Sequence, residues 1–179
     1  MTDRTPEQWE AVLRKIAPHG KAEIIEGFAA ELPRLTKKYH IDTPLRQAHF
    51  LAQVAHESDH FQTMEEYASG AAYEGRKDLG NVVKGDGRRF KGRGLIQLTG
   101  RYNYTGASKA FDHDFVSHPQ DAGKMPWAAE IAAWYWSTHK LNRHADKDDV
   151  RGATKAINGG LNGLGSRIAY LDRAKSALA

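Results

Sequence analysis

The 179-residue chain is 40% hydrophobic and 27% charged, ordinary globular proportions that exclude a collagen-like or disordered protein. Its length is that of one compact domain burying roughly 70% of its unfolded surface, so we expect a single domain over residues 1–179. There is no cysteine, which excludes disulfides, thiolate metal sites and cysteine nucleophiles and fits synthesis in a reducing cytosol.

The opening MTDRTPEQWEAVLRK contains acids and no apolar core, so no classical signal peptide is expected. Within it, Thr5-Pro6-Glu7-Gln8 reads as a helix start. Thr5 is the N-cap, Pro6 takes the first helical position and Gln8 closes a capping box. Trp9, Val12, Leu13 and Ile16 mark the apolar face, and Pro18-His19-Gly20 stops the helix. A second helix is predicted from Lys21 to Leu32, with Ile24, Ile25, Phe28 and Leu32 inward and Pro33 near its end. Thr43-Pro44 repeats the cap-plus-proline signal before LRQAHFLAQVAHES, whose apolar spacing predicts a helix to about Glu57.

From Gly70 to Gly94 the chain is rich in glycine and charge and lacks periodicity. It reads as an irregular region with at most a small β element between residues 65 and 95, and connections that long are usually functional. A helix is predicted over RYNYTGASKAF. Met125-Pro126 opens WAAEIAAWYWSTHK, apolar on nearly every side and therefore a buried central helix. Its apolar run is too short for a bilayer, so no stable membrane insertion is expected. Asp148 to Ile157 is helical and stops at Asn158-Gly159-Gly160, and Ser166 is the expected cap of a last helix through Leu178. The fold class is mainly α.

The formal net charge is +4, and its excess is local. Residues 76–93 hold seven bases and two acids, which leaves the rest of the chain near neutrality. Such a loop suits a polyanion: nucleic acid, anionic lipid or an anionic bacterial envelope polymer. No GxGxxG or GxxxxGK[ST] occurs there, so phosphate-loop chemistry has no support, and a nucleic-acid module is a rival that we set aside.

His56-Glu57-Ser58-Asp59-His60 matches the H-E-x-x-H pattern of zinc peptidases. Its extended form fails, because Thr63 and Glu66 stand where a glycine and a third histidine belong. The alternative uses Glu57 as an acid. It closes a helix at the negative end of the dipole, where the protonated carboxyl is favoured and a proton can be kept for donation. A second carboxylate from the following loop would remain ionised and activate water, the pairing that glycoside hydrolysis needs.

AHFLAQVAHESDHF (48–61), YEGRKDLGN (73–81) and FKGRGLIQLTGRYNY (90–104) resemble glycoside hydrolase family 19, especially phage endolysins of that family. AAWYWSTHKLN (132–142), INGGLNG (157–163) and SRIAYLDRA (166–174) match later landmarks in the same order, so the likeness covers roughly residues 44–174. The resemblance implies a mainly α, lysozyme-like domain that inverts configuration and cleaves β-1,4 bonds in chitin or peptidoglycan without a metal or other cofactor. It makes Glu57 the general acid and a loop carboxylate the base. Glu66 is favoured, with Glu65 and Glu74 as alternatives.

Thr99 occupies the position of a family serine that holds the attacking water. Gln97, Asn103 and Asn158 match sugar-binding or cleft-ordering positions, and Arg167 matches an arginine near the acids. Tyr67, Tyr73, Tyr102 and Trp136 are candidates for stacking on sugar rings, against a core role for Trp134 and Trp136. Arg76 and Arg93 are candidates to brace the cleft carboxylates. The plant enzymes' cysteines are absent, the loop between the two acids is short, and no separate wall-binding module is visible. We therefore expect a monomeric endolysin that acts on the peptidoglycan of the cell wall after release from the cytosol, with a chitinase as the nearest rival.

Overall fold

The computed structural model describes residues 4–179. Among them run nine α-helices: α1 (Pro6–Ile16), α2 (Ala22–Lys38), α3 (Pro44–Glu57), α4 (Asp86–Arg89), α5 (Arg101–Phe111), α6 (Trp127–Thr138), α7 (Asn142–Ala145), α8 (Val150–Asn158) and α9 (Leu164–Leu178). Short 3-10 turns lie at Ala71–Tyr73, Lys77–Leu79 and Pro119–Gly123. The only β pairing among the described residues is two isolated bridges, Glu65 with Arg93 and Arg93 with Leu98. The mainly α class is thus observed, and the 65–95 region carries just these bridges. No helix among the described residues is long and apolar enough to cross a membrane.

The first helix begins as its sequence predicts. Gln8 N–H donates to the Thr5 hydroxyl, and the Gln8 side chain accepts from the Thr5 amide. The second runs six residues past its expected end, straight through Pro33. A proline inside a helix removes one backbone bond and costs about 3 kcal/mol. Here the extra turns bury Leu35 and Thr36, and Thr36 Oγ1 donates to the Leu32 carbonyl at 2.8 Å. They also carry Arg34 and Lys38, and Tyr39 just beyond, to the buried Glu130 of α6. Long-range pairing overrides the local stop signal.

One apolar core runs through the molecule. α3 packs along α9, α1 lies against both α2 and α9, and α6 meets α2. Phe50 on α3 meets Trp136 on α6 edge to face at 5.4 Å, and Phe28 on α2 joins it at 6.1 Å. Trp136 is fully buried, with its indole N–H donated to Asn142 at 2.7 Å, so it is a core residue and the stacking role considered for it does not apply. Trp134 is half-buried at the margin of the core.

Candidate active site

Every residue of α3 from Gln47 to Ala55 is buried, including the polar Gln47, His49 and Gln53. Gln53 and Glu57 stand four residues apart, so both side chains lie on one helix face. That face meets Arg167 from the first turns of α9. Its guanidinium is 2% exposed and donates to Glu57 Oε1 at 2.5 Å, to Gln53 Oε1, and to the Asn162 carbonyl at 3.4 Å. Glu57 keeps 18% of its side chain exposed. Asn158 joins the same group through the backbone, because its amide also donates to the Asn162 carbonyl, at 3.0 Å. Its Oδ1 accepts from Gly160 N–H at 2.8 Å, and Gly159 takes the left-handed conformation that ends α8. Asn158 is therefore both a helix stop and a neighbour of the arginine. Tyr135 of α6 lies close by; its hydroxyl is pushed above its ordinary value by burial and by the Glu57 charge.

Ser166 does not cap α9. The helix begins at Leu164 after a left-handed Gly163, three residues earlier than a Ser166 cap predicts, and the Ser166 hydroxyl instead meets His56 Nδ1 at 3.1 Å. A side chain at Gly163 would collide with the His56 ring.

The zinc reading of 56–60 fails on this geometry. α3 ends at Glu57, and Asp59, His60 and Phe61 all have left-handed backbone, so the two imidazoles do not share a helical face. His60 turns edge-on to Tyr170 at 5.3 Å while His56 faces Ser166. Among the described residues no three histidine or carboxylate groups are placed to hold a metal ion.

The second group forms around Gly92. The backbones of Glu66 and Gly92 pair, Glu66 N–H to the Gly92 carbonyl at 3.0 Å. Glu66 Oε2 accepts from Gly92 N–H at 3.0 Å and from the Tyr73 hydroxyl at 3.0 Å. Glu66 Oε1 is buried and accepts nothing from the protein. A Cβ at Gly92 would lie 2.6 Å from Gln97 Oε1, 2.8 Å from Glu66 Oε2 and 3.2 Å from Thr99 Oγ1, so glycine lets these three side chains converge. Thr99 donates its hydroxyl to the Gln97 carbonyl at 2.8 Å, and Asn103 donates to the Thr99 carbonyl at 2.8 Å. Tyr73 is thus a hydrogen-bond donor to Glu66. Burial and this bond both push its hydroxyl above the ordinary value.

The other two carboxylate candidates have partners of their own. Lys91 at 2.9 Å and Arg93 at 3.3 Å hold Glu65, and the Lys91 hydrogen bond in particular keeps its carboxyl below the usual range. Glu74 accepts the Gly85 and Gly87 amides, which lower it likewise. Arg93 braces Glu65, whereas Arg76 pairs with Asp78 two residues on. Within the basic segment Arg101 also ties down Asp86, leaving Lys77, Lys84 and Arg88 exposed. Tyr67 is 79% exposed with its hydroxyl on Asp59, and Tyr102 is 74% exposed.

The fold has solved counterparts. It matches chitinase C from Streptomyces griseus with a TM-score of 0.74 at 21% identity, covering 94% of this chain and 75% of that one. A class IV chitinase from Zea mays matches with the same score at 20% identity, over 94% of this chain and 91% of the other. These likenesses show the lysozyme-like fold. The family model described as "Chitinase class I" matches residues 22–159, and the chain belongs to glycoside hydrolase family 19. A family 19 domain-containing protein of Haemophilus influenzae is 31% identical over 88% of this chain and 90% of its own length. The acidic endochitinase SP2 of Beta vulgaris is 33% identical over 64% of this chain, which spans only 40% of that protein.

Proposed function

We propose that this protein is an endolysin that hydrolyses the β-1,4 bonds of peptidoglycan glycan strands with inversion. Glu57 is the general acid and Glu66 the general base. The observation that carries the reading is the contrast between the two carboxyls. A buried guanidinium holds Glu57 on one oxygen, while a phenol and a backbone amide fix Glu66 on one oxygen and leave the other without a protein donor.

In this mechanism Glu57 Oε2 gives its proton to the leaving glycosidic oxygen. Arg167, on Oε1, then stabilises the carboxylate that re-forms, the state in which it pairs with Glu57 in the free enzyme. The Glu66 carboxylate takes a proton from the attacking water on the opposite face of the sugar, and the Thr99 hydroxyl orients that water. Gln97, Asn103, Asn158 and Tyr102 bind the glycan beside them.

The exposed basic surface at Lys77, Lys84 and Arg88 supports an anionic bacterial-wall substrate over uncharged chitin. That surface would draw anionic envelope polymers to a monomeric enzyme made in the cytosol and released to the wall. The second reading, a chitinase with the same machinery, is favoured by the endochitinases among the relatives. One experiment covers both. Proton NMR of the first-formed product anomer should show the α-anomer from peptidoglycan, with slower turnover of chitin oligosaccharides. A β-anomer would refute inversion, and turnover of chitin alone would move the chitinase reading to the front.

A further inference from the structure

Beyond Asn103 a groove of about 650 Å³ opens between α5 and α6. Tyr102, Asn103 and Lys109 line one wall, and Trp134 and His139 the other. The α5 wall adjoins the candidate site, and the α6 wall lies beside Tyr135. Asn103 donates to the Thr99 carbonyl, and His139 stacks at 3.8 Å on Tyr135, the phenol that senses the Glu57 charge. The groove therefore continues from the Thr99 end of the candidate site.

Its lining has two basic side chains, Arg101 and Lys109, one histidine, and no carboxylate. Arg101 is taken up by Asp86 at 2.6 Å, whereas Lys109 is exposed and joins no ion pair among the described residues. Tyr102 projects into solvent and Trp134 is half-buried, so both offer aromatic surface. An uncompensated cation beside two aromatic faces suits a chain of amides ending in carboxylates. A chitin repeat has no such appendage and no charge. In peptidoglycan, every second sugar carries a lactyl-linked peptide with free carboxylates.

We propose that this groove receives the peptide stem of a peptidoglycan repeat, with its carboxylate drawn to Lys109 and its amide planes lying on Tyr102 and Trp134. The groove then selects stem-bearing glycan over bare glycan. This rests on the reading of the protein as a peptidoglycan hydrolase and adds to it a source of selectivity.

The test compares wild type with Lys109→Glu on intact peptidoglycan and on the same glycan stripped of its stems by an amidase. Reversal of one exposed charge should lower the ratio of kcat/KM values, intact over stripped, about fivefold through KM, and the effect should shrink with salt. In parallel, a soluble disaccharide-peptide should shift the Trp134 indole N–H resonance of the wild type, assigned with Trp134→Phe. The same disaccharide without its peptide should leave that resonance in place. An unchanged ratio, or a silent Trp134 resonance, overturns the proposal. If wild type cleaves neither glycan, the hydrolase reading has failed and the titration alone decides the groove: a stem-dependent shift supports it and silence refutes it.

Discussion

Replacing Arg167 with methionine keeps most of the side-chain stem and removes the guanidinium that Glu57, Gln53 and the Asn162 carbonyl share. Removing one partner of a fully buried ion pair costs about 3–5 kcal/mol, because the other charge is stranded. Arg167 is 2% exposed, but Glu57 retains 18% of its side-chain surface and can be partly rehydrated. The expected loss is therefore about 2–3 kcal/mol, read as a fall in Tm of roughly 5–10 °C for a domain of this size. The sharper assay is a double-mutant cycle with Glu57→Gln by denaturant unfolding. In the Glu57→Gln background no carboxylate is stranded, so Arg167→Met should cost at least about 1 kcal/mol less than in the wild type. Costs that add within ~0.5 kcal/mol would refute the coupling and with it the account of how Glu57 is held.

Thr99→Ser should retain most activity and Thr99→Ala should lose about 10–100-fold in kcat with little change in Tm, because only the hydroxyl orients water; equal losses would contradict that role. Gly92→Ala should depress kcat by a similar factor, since its methyl would press on Glu66 Oε2 and Gln97 Oε1, and unaltered kinetics would show that the three side chains need not converge. Burial pushes the Glu130 carboxyl up, but hydrogen bonds from Lys38, Tyr39 and Arg34 outweigh it and hold the group below its ordinary value of 4.5. A depressed carboxylate stabilises the fold above its unfolded pKa, and this is lost as pH falls through the folded one. Glu130→Gln should thus cost about 2 kcal/mol near neutrality and progressively less below pH ~4.5, as followed by unfolding across pH; a pH-independent difference would contradict this.

Where structure follows from local chemistry, the sequence was a sufficient guide. The Thr5-Gln8 capping box, the Thr43-Pro44 start of α3 and the left-handed glycine after α8 each form within a few residues, and each lies where its motif predicts. The misses have long-range causes. Pro33 reads as a stop only to a reader who cannot see Glu130 meeting the turns beyond it, 92 and 96 residues away in sequence for Lys38 and Arg34. Ser166 reads as a cap, yet Gly163 lets the helix start earlier and gives the hydroxyl to His56.

At the site, the family likeness supplied Glu57, Glu66, Gln97, Thr99 and Arg167, and the structure groups them into two clusters. It does not supply Gln53, although a glutamine one turn before Glu57 in an otherwise buried helix was a signal that could have been read. Tyr73 was sought as a stacking ring and is found as a donor to Glu66, a role that depends on loop closure around Gly92. The α5–α6 groove was not foreseeable from periodicity, because its two walls come from segments some 30 residues apart.

The central claim is that Glu57 and Glu66 together cleave a peptidoglycan glycan strand, and release of new reducing ends from purified peptidoglycan tests it most directly. Wild type should release them, while Glu57→Gln and Glu66→Gln, each verified as folded, should fall by about two orders of magnitude or more. Release by either variant at the wild-type rate, or none by the wild type, would contradict the account.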